Sequence, residues 1–393
     1  MKAEWQRKQI GDLCEVIAGQ SPEGKFYNAE GNGVPFYQGK KDFGEKFLEA
    51  PTTWTTQTTK IAREGDILMS VRAPVGPVNF ATGEACIGRG LAAIRSGAEL
   101  NRDFLFYQLL HLQPEIAGRE GAVFSSINKA EIEALPLAFA SFTEQQRIVG
   151  ILDEAFDGIA TAKANAEQNQ QNARALFESH LQSVFTQRGE GWETTMLESV
   201  LVVQPQNGWS PPAANHSDSG TPVLTLSAVT GFNFRKNKIK FTSASTDSRR
   251  RYWVNNGDLL ITRSNTPELV GHVAIASGLS EPTIYPDLIM RMIPAPERML
   301  TEFLYYQLRS PLLRKEITGR AQGANPTMKK LSNGAVRSLP ISVPSVATQR
   351  IIVETFAALR EETQRLDSLY QRKLAALAEL KKSLLHQAFS GVL

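Results

Sequence analysis

The stretch of this 393-residue chain that comes nearest to a catalytic loop is Ser210-Pro211-Pro212-Ala213. An enzyme that methylates an exocyclic base amine needs a polar residue, two prolines and then a ring that stacks on the extruded base. Alanine stands where that ring belongs, and no glycine-rich strand-to-helix turn for a methyl donor is visible. Glu23-Gly24-Lys25 has the tail of a nuclease acid-lysine set without an apolar strand to carry it, so a solvated turn is the simpler reading. Gly33 to Lys40 has the wrong spacing for a phosphate loop. Histidines 111, 180, 216, 272 and 386 are scattered, with none paired at metal-ligand spacing. These residues point to recognition rather than bond making.

Recognition of DNA calls for loops that mix Arg and Lys, which hold phosphates or clamp guanine, with amides that pair with adenine. In the first half the candidates are Gln38, Lys40, Lys41, Arg72, Arg89, Ser125, Asn128 and Lys129. In the second they are Arg235, Lys236, Lys238, Arg249, Arg250, Arg251, Arg263, Asn265, Arg320, Asn325, Lys329 and Lys330. Net charge is only +3, but its placement is uneven. Residues 225–330 carry sixteen Lys/Arg against eight Asp/Glu, whereas 143–188 carry four against six. Basicity gathered on a globular part is the expected footprint of a phosphate-binding face.

The elements that must position these loops occur twice. Gly19-Gln20-Ser21-Pro22 is answered by Gly208-Trp209-Ser210-Pro211, and Gly65-Asp66-Ile67-Leu68 by Gly257-Asp258-Leu259-Leu260. Tyr107-Gln108-Leu109 is answered by Tyr306-Gln307-Leu308, and Leu135-Pro136-Leu137 by Leu339-Pro340-Ile341. The order holds while the offset drifts from 187 to 204, so loops change length between fixed landmarks. The Gly-x-Ser-Pro turn suggests a left-handed glycine and a fixed proline at a recognition edge. Asp66 and Asp258 read as turn residues that bond their own backbone.

Behind each half the apolar spacing changes to that of a long helix with a coiled-coil seam. The seam runs through Ile148, Leu152, Ala155, Ile159, Ala166, Ala173 and Leu176 in the first copy, and through Ile352, Phe356, Leu359, Leu366, Leu377 and Leu380 in the second. Gln146-Arg147-Ile148-Val149 and Gln349-Arg350-Ile351-Ile352 open the two helices at an offset of 203. Thr143 with Gln146 has the pattern of a capping box, and Asn169 falls on the seam, where it would fix antiparallel register. The expected class is α+β, in which two similar mixed α/β domains, 1–142 and 189–346, are separated by an antiparallel coiled coil of helices 143–188 and 347–393.

This doubled order resembles the specificity (S) subunit of type I restriction-modification enzymes, over essentially the whole chain. The resemblance implies a non-catalytic subunit with two target recognition domains, each reading half of a split DNA sequence. It also implies two modification (M) subunits, which hold S-adenosylmethionine and methylate adenine, and two restriction (R) subunits that use ATP and Mg for translocation and cleavage. No cofactor is expected on this chain. Exposed faces near Gln146, Arg147, Gln349 and Arg350 are the expected docking points for M.

Two other readings stay open at this point, a self-contained methyltransferase or nuclease, and a coiled-coil DNA-binding scaffold or repressor. The first needs the catalytic sets that are missing; the second predicts binding indifferent to sequence. Composition, at 42% apolar and 21% charged, is ordinary for two to three globular domains. Two cysteines, Cys14 and Cys86, without a Cys-x-x-Cys pair suggest a reducing compartment, and a cytoplasmic, soluble protein is expected.

Overall fold

A short apolar run after a Gly-Asp turn must satisfy its buried backbone groups, and both copies of the run do so in a β ladder. The computed structural model describes residues 5–117, 126–323 and 327–393. Its contacts divide it into two units, residues 1–167 with 371–393, and residues 168–370. In the first unit Ile67–Ser70, buried at every position, lies between Leu91–Ser96 and Val78–Phe80, and Cys14–Ala18 completes a four-stranded antiparallel sheet. A second sheet takes Tyr27–Asn28, Trp54–Thr55, Val34–Tyr37, Ala85–Ile87 and Ile61–Ala62 in that order, with the third and fourth strands parallel. A ribbon of Gln6–Gln9 with Pro136–Phe139 closes the domain.

The second unit repeats these three sheets and adds a two-stranded pair, Ser264–Asn265 with Lys329–Lys330. Its four-stranded sheet is Leu201–Asn207, Ile289–Pro294, Leu259–Thr262 and Val273–Ile275. Its five-stranded sheet is His216–Ser217, Ile239–Thr242, Thr221–Leu224, Thr283–Ile284 and Trp253–Val254, with the parallel step in the same place. The ribbon is Glu193–Met196 with Pro340–Val343. The expected α+β class and tandem repeat are therefore present.

Side chains alternate along a strand, so each four-stranded sheet serves two cores. Ile67 and Met69 face a core that holds Phe104, Leu105 and Leu109 of the helix Arg102–Ala117, while Leu68 faces a smaller one with Tyr37 and Ile87. Leu259 and Ile261 face Phe303, Leu304 and Leu308 of the helix Thr301–Arg309, while Leu260 faces Leu224 and Tyr285.

The two long helices span Phe142–Gln187 and Val346–Ser390. Within the first unit the start of one meets the end of the other, as Ile148 and Leu152 share a core with Leu385, Ala388 and Phe389. Within the second unit Phe177, Leu181 and Phe185 share a core with Phe356. The helices thus run antiparallel inside each unit taken by itself. Phe389 meets Phe104 edge-on at 5.3 Å, and Phe185 meets Phe303 in the same way at 5.4 Å. Each domain core is completed by the helix end that follows the other domain in sequence.

Several expectations about the helices are corrected. The equivalent glutamines are Gln145 and Gln349, at an offset of 204, and both are fully buried. Gln145 donates to the Glu99 and Ala140 carbonyls and accepts from Asn101 N–H; Gln349 donates to the Arg298 and Pro344 carbonyls and accepts from Leu300 N–H. Gln349 is consequently a clamp at the domain-helix junction and offers nothing to a partner. The true counterpart of Gln146 is Arg350, and both are exposed. Arg147 is engaged by Glu144 at 2.7 Å and by the Leu393 carbonyl at 3.0 Å. The caps are Ser141 and Ser345, which accept from Glu144 and Thr348 N–H, in place of the Thr143 box. Asn169 is exposed, and so are Leu176 and Leu380, at 59% and 47%. A straight helix drifts about 20° per heptad against a 3.5-residue seam, so near each domain the buried line passes to Phe177 and Leu181, or to Leu385 and Ala388.

Removing the Gln349 amide strands one N–H and two carbonyls in a dry site. Gln349→Leu should therefore cost about 2–4 kcal/mol, whereas Arg350→Ala next to it should stay within about 0.5 kcal/mol. The shift of the urea unfolding midpoint of the full chain measures both.

Candidate nucleic-acid interface

Two devices deliver the loops in each half. The Asp66 carboxylate accepts from Arg63 N–H and is gripped by Arg95 at 2.8 and 2.9 Å. Asp258 likewise accepts from Asn255 N–H and meets Arg291 at 3.2 Å. These buried ion pairs tie the turn before the central strand to its neighbour. The glycines of Gly-x-Ser-Pro serve close approach rather than the expected left-handed geometry. A Cβ on Gly19 would lie 2.2 Å from the Gly88 carbonyl oxygen, and one on Gly208 would lie 1.9 Å from that of Tyr285.

In the first half, backbone bonds line the loops up in series. Gly88 N–H donates to the Tyr37 carbonyl, Val71 N–H to Gly90, and Ile127 N–H to Val71. Gln38 therefore lies beside the Arg89 loop, the Arg89 loop beside Arg72, and Arg72 beside Asn128 and Lys129, all exposed. Lys40 and Lys41 sit on the turn Lys40–Asp42 after Gln38, with Lys41 3.8 Å from Asp42. Ser21 Oγ accepts from Arg89 N–H, and the Thr59 hydroxyl donates to the Gln20 carbonyl, which extends the edge past the Gly-x-Ser-Pro turn.

The second half repeats the last two links of the series; at the first, Pro286 stands in the place of Gly88 and has no N–H to donate, and the edge is held instead as Gln20 N–H holds the Ile87 carbonyl in the first half. Trp209 N–H donates to the Tyr285 carbonyl, Arg263 N–H to Leu288, and Leu331 N–H to Arg263. Ser264–Asn265 pairs with Lys329–Lys330, which brings Arg263, Asn265, Lys329 and Lys330 to one place. Arg249, Arg250 and Arg251 sit at the other end of the edge, on a turn whose Asp247 carboxylate accepts from Arg249 N–H and lies 3.2 and 3.9 Å from Arg249 and Arg250. These bonds hold the Asp247 carboxyl below its ordinary range. Arg235, Lys236 and Lys238 ride on the loop 225–238, which is pinched shut where Thr225 donates to the Lys238 carbonyl.

That loop is fastened at its base by a strained aromatic. Phe232 has φ of 59° and stacks on His272 at 4.1 Å, with the guanidinium groups of Arg309 and Arg314 5.2 and 5.7 Å from its ring. Tyr305 donates to the Phe232 carbonyl, and Gly231 N–H donates to His272 Nδ1, which fixes that nitrogen as an acceptor. Burial, and then the charge of Arg314, push the imidazole down to about 4. In the first half the corresponding loop is held by Lys46, which lies 3.1 Å from both Asp103 and Asp153.

Some candidates are spent on structure. Arg320 donates to the Ser338 carbonyl and hydroxyl at 2.8 Å and so fastens the end of the helix Pro311–Arg320. Asn128 caps the helix Lys129–Glu133 through Glu131 N–H, and Lys129 pairs with Glu133 at 3.5 Å. Lys329 donates to the Gly323 carbonyl. Ser125 and Asn325 lie outside the described residues. Of the basic excess in 225–330, Arg291, Arg309 and Arg314 are internal braces. Conversely, Trp209, Ser210, Tyr252 and Asp287 lie on the edge without having been singled out as contacts; a tryptophan in one copy of a repeated turn and a glutamine in the other was the available signal. Among the described residues no group of His, Cys, Asp or Glu could hold a metal, and no helix is long and apolar enough to cross a membrane.

A family model described as Type I restriction modification DNA specificity domain matches residues 2–170 and again 189–371. The putative type I restriction enzyme MjaX specificity subunit of Methanocaldococcus jannaschii is 40% identical over 169 residues, which is 42% of this chain and 40% of that protein. The type I restriction enzyme EcoKI specificity subunit of Escherichia coli is 26% identical over 286 residues, 70% of this chain and 61% of that protein. The chain thus spans less than two thirds of the length of these two relatives. A chain from a structure of a type I R-M system matches 99% of this one and 98% of its own length at a TM-score of 0.79 and 17% identity. The HsdS subunit from Thermoanaerobacter tengcongensis covers 100% and 98% at a TM-score of 0.63 and 17% identity. At such identities the likeness is one of fold.

The His272 brace has a pH signature. The unfolded chain takes up a proton near 6.5 and the folded one only near 4, so this contribution is full above about pH 6.5 and is lost as pH falls toward 4. Its full size is on the order of 3 kcal/mol. His272→Asn, which keeps an acceptor for Gly231, should flatten the fall of the urea midpoint between pH 7 and 4.5 relative to the unaltered chain.

Proposed function

Because the chain belongs to the family of type I restriction modification DNA specificity domains, we propose that it is the non-catalytic subunit that gives such a complex its DNA sequence. Each recognition domain reads one half of a bipartite target. The observation that carries this reading is the pair of equivalent edges on one repeated scaffold whose side chains have diverged. Gln20 corresponds to Trp209, and Arg89, by its place after the Gly88 or Pro286 turn, corresponds to Asp287. A scaffold kept while its edge changes charge and shape suits two different half-sites, since Arg matches guanine and Asp matches the cytosine amino group. A tandem repeat, unlike a homodimer, lets the two halves of a target differ.

The long helices then act as a spacer. A helix of 46 residues rises about 69 Å, and the antiparallel pair is the element that would set the separation of the two readers. Methylating subunits dock near the exposed Gln146 and Arg350; they bring S-adenosylmethionine, and restriction subunits bring ATP and Mg.

Two outcomes test this function. The purified chain with DNA and radiolabelled S-adenosylmethionine should transfer no methyl group, and should direct adenine methylation to a split motif once a cognate modification subunit is added. Four residues inserted near Gln168 to Asn172, matched by four in the second helix, should lengthen the unspecified spacer by about one or two base pairs, from a 5.4 Å pitch against about 3.4 Å per pair. Methylome sequencing reads the spacer directly, and an unchanged spacer would remove the ruler from the proposal.

A further inference from the structure

The second domain carries a feature that the first lacks. Between the strands ending at Thr242 and beginning at Trp253 the chain has ten residues, 243–252, where the first domain has five, 56–60, between Thr55 and Ile61. The longer loop holds Arg249, Arg250 and Arg251 in succession, with the Arg249 and Arg250 side chains 89% and 72% exposed. The loop is rigid by construction. The Tyr252 hydroxyl accepts from Asp247 N–H, Trp253 Nε1 donates to the Asp247 carbonyl, and the buried Tyr285 hydroxyl donates to the Arg251 carbonyl.

Beside this loop Trp209 and Tyr252 lie ring to ring at 5.2 Å and 31°, each only partly buried. They form the apolar wall of an open cleft of about 480 Å³, whose other side is polar and lined by Ser245, Thr246, Asp247 and Arg250. Trp209 is followed by Ser210, which donates to Asp287 next to the Arg263 loop, so the cleft is continuous with the reading edge. By register from the shared strands, the first domain has Gln20 and Lys60 where the second has Trp209 and Tyr252, and Gln57, Thr58 and Thr59 where it has the three arginines. Its edge at this place is polar throughout.

Resting on the function proposed above, we infer that the Trp209–Tyr252 wall is a thymine reader, which contacts the 5-methyl group in the major groove of the second half-site while Arg249, Arg250 and Arg251 hold the flanking phosphates. Base faces are closed inside a duplex, and the only apolar group that a base pair presents on its major-groove edge is the thymine methyl. A rigid aromatic surface at the foot of a phosphate-binding turn matches that group in size and polarity. The first domain, with Gln20 and Lys60 there, reads by hydrogen bonds and has no methyl-sensitive position at this place.

The test uses the full-length chain and a random duplex library, followed by the selected duplex with each thymine replaced in turn by deoxyuridine, which deletes only the methyl group. The unaltered chain should select a split motif, and one or two replacements confined to one half-site should weaken binding about fourfold each, the effect of one buried methyl. In Trp209→Gln/Tyr252→Lys, which installs the first domain's residues, thymine and uracil should bind alike there while the other half-site is read as before. Trp209→Phe should keep the preference. Replacing the three arginines by glutamine should lower the slope of log affinity against log salt by about two to three and leave the preference for thymine intact. Equal binding of thymine and uracil at every position by the unaltered chain overturns the assignment without any variant having to fold. So does a preference that survives the double substitution, and an unchanged salt slope overturns the role of the arginines. Selection of no motif at all would instead bring down the proposed function.

Discussion

The architecture depends on one exchange of apolar surface, in which each recognition domain closes its main core with the end of the long helix that follows the other domain. Phe389 fills the core around Phe104, and Phe185 fills the equivalent core around Phe303. Fully burying such a ring contributes roughly 1.5–3 kcal/mol, and truncating it to alanine costs about 3–5 kcal/mol because the hole is not refilled. The buried glutamine clamps at 145 and 349 hold the other end of each helix to its own domain. Together the exchange and the clamps fix both ends of both helices, so the helices themselves need only a narrow apolar seam and can leave their outer faces polar.

On the scaffold that the two units share, the edge loops differ. The parts that cannot change are the ones that carry the frame: the Asp66–Arg95 and Asp258–Arg291 ties, the close backbone contacts at Gly19 and Gly208, and the amide bridges from Gln108 and Gln307 to the closing ribbon. The loops between them are fastened at their bases, through Leu48 in one half and Ala228 and Val229 in the other, and their exposed side chains are the part left free. Even the fastening of the equivalent loops has diverged, with Lys46 among carboxylates in one half and Phe232 between an imidazole and two guanidinium groups in the other. The first is a set of ion pairs and the second a stack, so salt screens the first more strongly.

Much of this was legible from residue order because it is set locally. The repeat, the Gly-Asp turns and the heptad-like spacing of the two long helices all follow from short-range patterns, and they placed the starts of the helices to within one residue, whereas the pairing of the strands into sheets was not legible. What the sequence hid was decided by burial. Gln145 and Gln146 are chemically identical, and only the direction in which the helix presents them makes one a clamp and the other a surface residue. The phrase Gln-Arg-Ile matched at the wrong offset for that reason. Arg320 could not be told from Arg249 by composition, because one meets the Ser338 carbonyl at the end of the next helix and the other, beside Asp247, stays 89% exposed. Trp209 passed for part of a structural turn, since the exposure of its ring depends on where Tyr252 arrives from 43 positions away.

The crossed closure of the cores also sets an order of assembly during synthesis. Residues 168–370 form one uninterrupted unit, so everything that the second domain requires has been synthesised before the last turns of the second long helix are made. The first reader, though made earlier, waits for Leu385, Ala388 and Phe389. Its apolar floor around Phe104 stays uncovered while the intervening two hundred residues are made, a hazard that the second domain, whose closing helix end at Phe185 is made before it, does not share.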